Sequence, residues 1–465
     1  MLLWNAPEKL SYEALMSEII STNTSYRHLT AQVIKLSIPA ILAEITSVIM
    51  QYIDAAMVGS LGKEATAAIG LVSTSSWLIG GLCISSSIGF SVQVAQLIGA
   101  KKEKDARNVL RQSIIVCMLF SFLLSGIAIL ISKPLPGLLG GEQSIRSDAS
   151  AYFLIFALAL PFEMVRMLFG SMLQSSGNMK TPGILNIFIC ILDVAFNYLF
   201  IYVAGLGVRG AAIGTALSEV IVSLLMAYFL LFRSKTLALK LGGSWKLNRI
   251  CIRNAIKIFT PIALERTVTC GAYITATKII APLGNIAVAA NSLAVTAESF
   301  CYMPGYGLGT AATTLVGQSI GAKRKDLAKR YAKITITLGV VIMSISAVLM
   351  YMAAPLMFMI LTSEVAVRRI GTKILRIEAY AEPLYGASIV CSGVLRGAGD
   401  TLIPSIISLV SMWGVRITLS IILVPHMGLT GIWLAMCIEL CFRGILMLIR
   451  TIRGSWLRKG IIDNI

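Results

Sequence analysis

Residues Ile34–Gly62 read IKLSIPAILAEITSVIMQYIDAAMVGSLG. The stretch is apolar almost throughout and long enough to cross a bilayer, for which about 20 residues suffice. It nevertheless carries two carboxylates, Glu44 and Asp54. An ionisable group at membrane depth costs roughly 2.5–3.5 kcal/mol on insertion scales, so its retention points to function.

The rest of the chain is of the same kind. Of its 465 residues, 57% are hydrophobic and 13% charged, where a soluble domain carries about 25% charged residues. The fold class expected is an all-α membrane protein with twelve transmembrane helices. The spans fall at 34–59, 66–98, 113–132, 150–174, 183–204, 211–232, 256–281, 286–318, 334–361, 374–394, 403–424 and 428–449.

The net charge of +18 would suit nucleic acid only as a basic face on a soluble fold. Here the positive residues sit in short loops, so a lipid bilayer and no nucleic acid is expected as partner. Lys101, Lys102, Lys104, Arg107 and Arg111 fill one loop; Lys323, Arg324, Lys325, Lys329, Arg330 and Lys333 fill its counterpart later in the chain. The intervening loops are poorer in positive charge, apart from Arg368, Arg369, Lys373 and Arg376. Positive loops stay cytoplasmic, which places both termini inside and the chain in the plasma (inner) membrane. The nine cysteines show neither CxxC nor zinc spacing and read as small packing residues. Residues 1–30 contain no signal-peptide core; Leu10, Leu15, Ile19 and Ile20 suit either a surface amphipathic helix or a polar tail.

Shifted by 222 residues, the chain matches itself. Ile34, Lys35 and Pro39 fall on Ile256, Lys257 and Pro261, and Leu61-Gly62 on Leu283-Gly284. Gln96, Gly99, Ala100 and Lys101 fall on Gln318, Gly321, Ala322 and Lys323; Pro161, Gly177 and Pro182 fall on Pro383, Gly399 and Pro404. Six spans per half make parallel repeats, the organisation of secondary transporters whose two lobes rock about a substrate. The expected domains are a cytoplasmic extension at 1–30, an N-lobe at 31–232, a lobe linker at 233–254, a C-lobe at 255–455 and a tail at 456–465.

No Walker A motif is present, so transport must draw on an ion gradient or on the substrate's own, and no cofactor is expected. In the N-lobe, Asn186, Asp193 and Asn197 share one face of the fifth span at i, i+7 and i+11. With Asp54 they suit a titrating proton or a small hard cation such as Na+, or an interhelical polar clamp. Glu44 either lines a cleft or pairs with a cation of a neighbouring span. Glu163 with Arg166, and Glu439 with Arg443, have intrahelical ion-pair spacing. Glu219 has no partner on its own helix, and Arg416 is a candidate partner for the C-lobe acids. Those acids are Glu265, Glu298, Glu378 and Glu382. Glu298 with Tyr302 and Met303, and Glu382 with Tyr385, form candidate seats for an organic cation. Pro39, Pro161, Pro261, Pro304 and Pro383 are positions where helices kink or unwind.

The segment Asp54-Ala-Ala-Met-Val-Gly59-Ser-Leu-Gly62 resembles the first helix of the multidrug and toxic compound extrusion (MATE) family. So do Gln96-x-x-Gly99-Ala100 with Gly317-Gln318-x-x-Gly321-Ala322, Gln174-Ser-Ser-Gly177 with Thr181-Pro182, Leu395-Arg-Gly-Ala-Gly399-Asp400-Thr401, and Gly207-Val-Arg-Gly210. The resemblance implies a V-shaped twelve-helix antiporter exporting organic, often cationic, compounds in exchange for Na+ or H+. It implies ion coupling at Asp54, with Asp193 as the fifth-helix partner. The seventh-helix acid of the other family branch falls on Thr269, and the tenth-helix acid near Tyr385; neither position is acidic here. Two other functions compete: a flippase for an anionic lipid, which needs an Arg/Lys-rich cavity, and a membrane-embedded transferase, which needs a clustered catalytic constellation. The intramembrane acids favour a cationic small-molecule substrate, handled by a monomer that is not an enzyme.

Overall fold

The structure, a computed structural model, describes residues 25–239, 243–458 and 460–461. Leu10, Leu15, Ile19 and Ile20 lie outside the described residues. Thirteen long helices follow one another: α1 (Tyr26–Gly59), α2 (Lys63–Gly99), α3 (Glu103–Ile131), α4 (Gln143–Ser175), α5 (Lys180–Val203), α6 (Gly207–Arg233), α7 (Arg249–Ile280), α8 (Asn285–Gly321), α9 (Lys325–Leu361), α10 (Val365–Ala379), α11 (Glu382–Gly397), α12 (Leu402–Met427) and α13 (Leu429–Ile452).

All twelve expected spans are helical, and ten helices are long and apolar enough to cross a membrane. The other two spans depart for visible reasons. Helix α7 is diluted by Lys257, Glu265, Arg266 and Lys278. The tenth span is not one helix but two, α10 and α11, parted at Tyr380–Ala381 ahead of Pro383. Proline lacks the N–H that would bond the carbonyl four residues back, so the ladder is interrupted ahead of it. At Pro39, Pro161, Pro261 and Pro304 the helices run on unbroken.

The described chain forms two compact units, one of residues 45–263 with Ile461, the other of 25–44 with 264–460. The division falls inside α1 and inside α7. Within the first unit the buried second half of α2 is a run of small residues, from Gly80 through Ser85, Ser86, Ser87 and Gly89. Small side chains let helices approach closely where no water drives association. The core of the second unit gathers Trp433, Phe358, Ile374, Leu375 and Leu440. All nine cysteines are free, six of them buried, as packing residues should be.

The internal repeat is written into the backbone. Positive φ recurs in pairs at repeat-equivalent sites: Gly62 and Gly284 (110° and 92°), Gly177 and Gly399 (89° and 83°), Gly207 and Gly428 (57° each). It also recurs at Lys101 and Lys323 (60° and 59°), the only non-glycine cases among the described residues. Each lysine closes a helix end in which the next N–H reaches back to a buried carbonyl, Lys102 to Leu97 and Arg324 to Ser319, both at 2.9 Å. That geometry favours glycine and strains a side chain. Lys101→Gly is therefore expected to stabilise the protein by about 0.5–1 kcal/mol, read as a higher thermal midpoint in detergent; an unchanged or lower midpoint refutes this.

Candidate functional site

In the first unit α1 and α5 bring three polar side chains together. The Asn197 amide Nδ2 donates to Asp54 Oδ1 at 2.9 Å and to Asp193 Oδ2 at 3.0 Å. Asp193 and Asn197 are buried, at 0% and 1% exposure, and Asp54 is half-buried. They are one turn apart on α5, so a single helix face offers both to α1. Thr215 of α6 also lies beside the Asp193 carboxyl. Asp193 Oδ1 and Asn197 Oδ1 are buried with no hydrogen-bond partner. Two carboxylates on one amide repel each other unless a proton or a cation neutralises part of their charge. The spare oxygens are the hard donors that a small cation or proton requires.

The approach of α5 to α6 rests on two glycines. A Cβ at Gly210 would meet Phe200 O at 2.6 Å, and one at Gly214 would overlap the Asn197 side-chain oxygen and come within 2.9 Å of its backbone N. The Gly210-x-x-x-Gly214 spacing, a close-packing signature in membrane helices, was visible in the sequence, but Gly214 and Thr215 were not singled out.

Asn186 does not join this group. Its Oδ1 faces Arg166 Nη1 at 3.5 Å. Arg166 pairs not with Glu163 but with Glu219 of α6, Nε to Oε2 at 2.6 Å. The i, i+3 spacing of Glu163 and Arg166 placed them on one face, where the Arg166 charge still acts on Glu163, but the acid on the neighbouring helix takes the guanidinium contact. Glu219 is thereby the partnered acid of the two, while Glu163 lies against Gly80.

In the second unit the acids divide differently. Glu298 of α8, Glu378 near the end of α10 and Glu382 at the start of α11 converge, with one carboxylate oxygen of each within 4.8 Å of the others. Their exposures are 6%, 0% and 0%. Glu378 and Glu382, four residues apart as the sequence spacing has them on one face with Tyr385, keep that face across the break at Tyr380–Ala381. The Cys301 thiol is beside Glu382, yet no atom is placed to donate a hydrogen bond to either carboxylate of Glu378 or Glu382. Next to them stand three tyrosines: Tyr302 meets Tyr385 at 5.6 Å and Tyr306 at 5.9 Å between ring centroids, edge to face. Arg443 lies over the Tyr385 ring at 5.5 Å, and its Nε is 3.1 Å from Glu439 Oε1. That contact is the expected ion pair, but Nε is not aligned to donate; Ser411 Oγ donates to the same oxygen at 2.7 Å.

The remaining sequence candidates stand apart. Glu265 accepts from Ser405 Oγ at 2.7 Å and is not in the cluster. Met303 is half-buried, and Glu44 is half-buried on the part of α1 that belongs to the second unit. Arg416 makes no ion pair within 4.0 Å among the described residues, its Nη2 facing Met436 Sδ at 2.6 Å, yet its charge acts on Glu298 and Glu378, two of the acids for which it was a candidate partner. Its segment of α12, Ser411–Ile417, is a π-helical turn that rotates the side chain away from the i, i+4 register. Tyr306, one turn from Tyr302 on α8, belongs to the aromatic cluster at a spacing the sequence also shows, and Arg443, expected from spacing beside Glu439, lies against it as well.

The repeat position of Asp54 is Ala276, which packs against Ala272, Met412 and Ile417. The carboxylate site of the first unit is thus an apolar cluster in the second.

The sequence pattern of the MatE family matches residues 39–199 and 261–422, two copies in register with the internal repeat. The chain is 24% identical over 442 residues to the probable multidrug resistance protein NorM of Thermotoga maritima, covering 93% of this chain and 94% of that one. It is also 24% identical over 444 residues to multidrug and toxin extrusion protein 1 of Xenopus tropicalis, covering 92% of this chain and 75% of that protein. Among solved structures, a transporter of the MOP superfamily from Pyrococcus furiosus superposes with a TM-score of 0.88 at 21% identity, over 94% of this chain and all of that one. The bent form of the Vibrio cholerae MATE transporter VcmN superposes with a TM-score of 0.85 at 22% identity, over 94% and 99%. Two copies of one family pattern, laid over a twelve-span helical fold with buried carboxylates in each unit, establish that the chain is a membrane transporter of the MatE family.

Proposed function

We propose that this protein exports organic cations or amphipathic compounds, drugs and toxins among them, by alternating access in exchange for H+ or Na+. The observation that carries the reading is the Asn197 amide bridging Asp54 and Asp193. A proton or Na+ relieves the repulsion of the paired carboxylates, and its departure restores it. Occupancy of that site is therefore linked in free energy to the arrangement of α1 against α5, the linkage that coupled transport requires. Cationic substrates are favoured by Glu298, Glu378 and Glu382 beside Tyr302 and Tyr385, where charge and aromatic faces act together. NorM relatives in several organisms bear multidrug resistance names, which supports a broad substrate range. The loop lysines and arginines support cytoplasmic termini.

The test is ethidium movement in everted membrane vesicles under an imposed Na+ or H+ gradient. Wild type is expected to respond to one gradient, and Asp54→Asn to lose about tenfold or more of the gradient-driven rate. Transport indifferent to both gradients and to Asp54→Asn would overturn the antiport reading.

A further inference from the structure

Helix α11 is buried from Gly386 to Gly397 except at Ser392 and Arg396. Both lie within about 20° of the half-buried Tyr385 round the helix, at roughly 100° per residue, so the three make one stripe. On α8, Tyr302, Tyr306, Thr310 and Thr313 make a second half-buried stripe, spread over about 80°. The two stripes run side by side. Tyr302 meets Tyr385; farther along, a Cβ on Gly393 would collide with Gly309 O and one on Gly397 with Thr313 O. Thr313 Oγ1 donates to Gly393 O at 2.9 Å across the same contact.

One end of this paired stripe is the cluster of acids and tyrosines. The other end is basic. Arg396 stands there, with Arg266 of α7 near enough for the two positive charges to oppose each other, and with Glu265 and Tyr306 also acting on it. Glu265 accepts from Ser405 Oγ, and among the described residues no carboxylate lies within 4.0 Å of either guanidinium. Arginine keeps its proton in proteins, so two guanidiniums beside one acid leave a surplus positive charge. Helix α8 runs on from the level of Thr313 to Gly321, about 12 Å farther, so Arg396 is set back inside the bundle. An arginine held inside a membrane bundle points to function. The repeat positions of Arg266 and Arg396 are Glu44 and Gln174, so neither positive charge belongs to the repeated scaffold.

Resting on the export reading above, we propose that Arg396 and Arg266, with the Tyr306 hydroxyl, bind the carboxylate of an organic substrate, so that zwitterionic and anionic compounds are taken as well as cations. The planar guanidinium fork matches the two oxygens of a carboxylate. Tyr385 and Arg396 stand about 16 Å apart along α11, which makes the two ends separate subsites, one for each sign of charge.

The experiment is equilibrium binding of two dyes to the full chain in nanodiscs of phosphatidylcholine. One is a rhodamine methyl ester, a cation; the other is the free acid of the same dye, a zwitterion. Wild type is expected to bind both. Arg396→Gln is expected to weaken binding of the free acid by about tenfold or more. It should bind the ester at least as tightly as wild type, because a positive charge has gone, and that binding also shows the variant to be folded. Arg396→Lys, which keeps the charge and loses the fork, is expected to fall between the two for the free acid. The proposal is overturned if wild type does not bind the free acid, if Arg396→Gln leaves its affinity unchanged, or if that variant weakens both dyes equally. Failure of the cation reading is seen separately, as ester binding that Glu382→Gln leaves unchanged.

Discussion

Gly214→Val is expected to reduce gradient-driven transport by about tenfold or more although every carboxylate remains in place. A side chain at that position has nowhere to go: the first carbon would overlap the Asn197 amide oxygen and press on its backbone nitrogen at 2.9 Å. Helix α5 must then shift from α6, or Asn197 must leave the position from which it holds both Asp54 and Asp193. Overpacking of this kind costs about 1–3 kcal/mol, so the variant should still fold, with a lower thermal midpoint. The measurement is ethidium efflux under the gradient that drives wild type, on protein shown by size-exclusion to be intact. Wild-type rates from Gly214→Val would mean that the amide bridge is not needed for coupling. Because the charge count is untouched, this variant separates geometry from charge in a way that Asp54→Asn does not.

The second large effect is expected at Glu382, and it has two signs. Glu382→Gln should raise stability by about 1–3 kcal/mol, since a buried carboxylate without a hydrogen-bond donor is expensive and an amide of the same shape costs less. The same change should weaken binding of tetraphenylphosphonium by about tenfold or more, by removing a carboxylate able to ionise against a bound cation beside Glu298 and Glu378. Binding of a neutral substrate of similar size should change little. Chemical denaturation and equilibrium binding on the purified protein read the two effects separately. A destabilised Glu382→Gln with unchanged cation affinity would assign the cluster a structural role only.

Much of this was legible from residue order. The apolar spans and the 222-residue repeat required no coordinates, because bilayer thickness imposes span length and a repeat is visible as self-similarity. The choice of Asp54, Asp193 and Asn197 was legible too, since helical spacing puts Asp193 and Asn197 on one face and burial cost flags the acids. The pairings were less so. Arg166 stands three residues from Glu163 yet binds Glu219 on another helix, and Arg416 contacts a methionine sulfur while reaching Glu298 and Glu378 only through its charge. Intrahelical spacing says which residues are able to meet, while rotamers and neighbouring helices decide which do.

The same division holds for the Ile34–Gly62 stretch and its copy. Sequence alone determined that Asp54 has no acidic counterpart, because Ala276 stands at its repeat position. It also determined the class of protein, the repeat and the residues carrying charge into the membrane. Only the tertiary structure decided that Ala276 lies in an apolar cluster with Met412 and Ile417. It alone showed that Glu298 of α8 meets the face shared by Glu378 and Glu382, and that a glycine in α6 admits the amide that joins Asp54 to Asp193. The physical reason is range: hydrophobicity and helical period act within a segment, whereas the partner of a buried charge is chosen by the helices that pack against it.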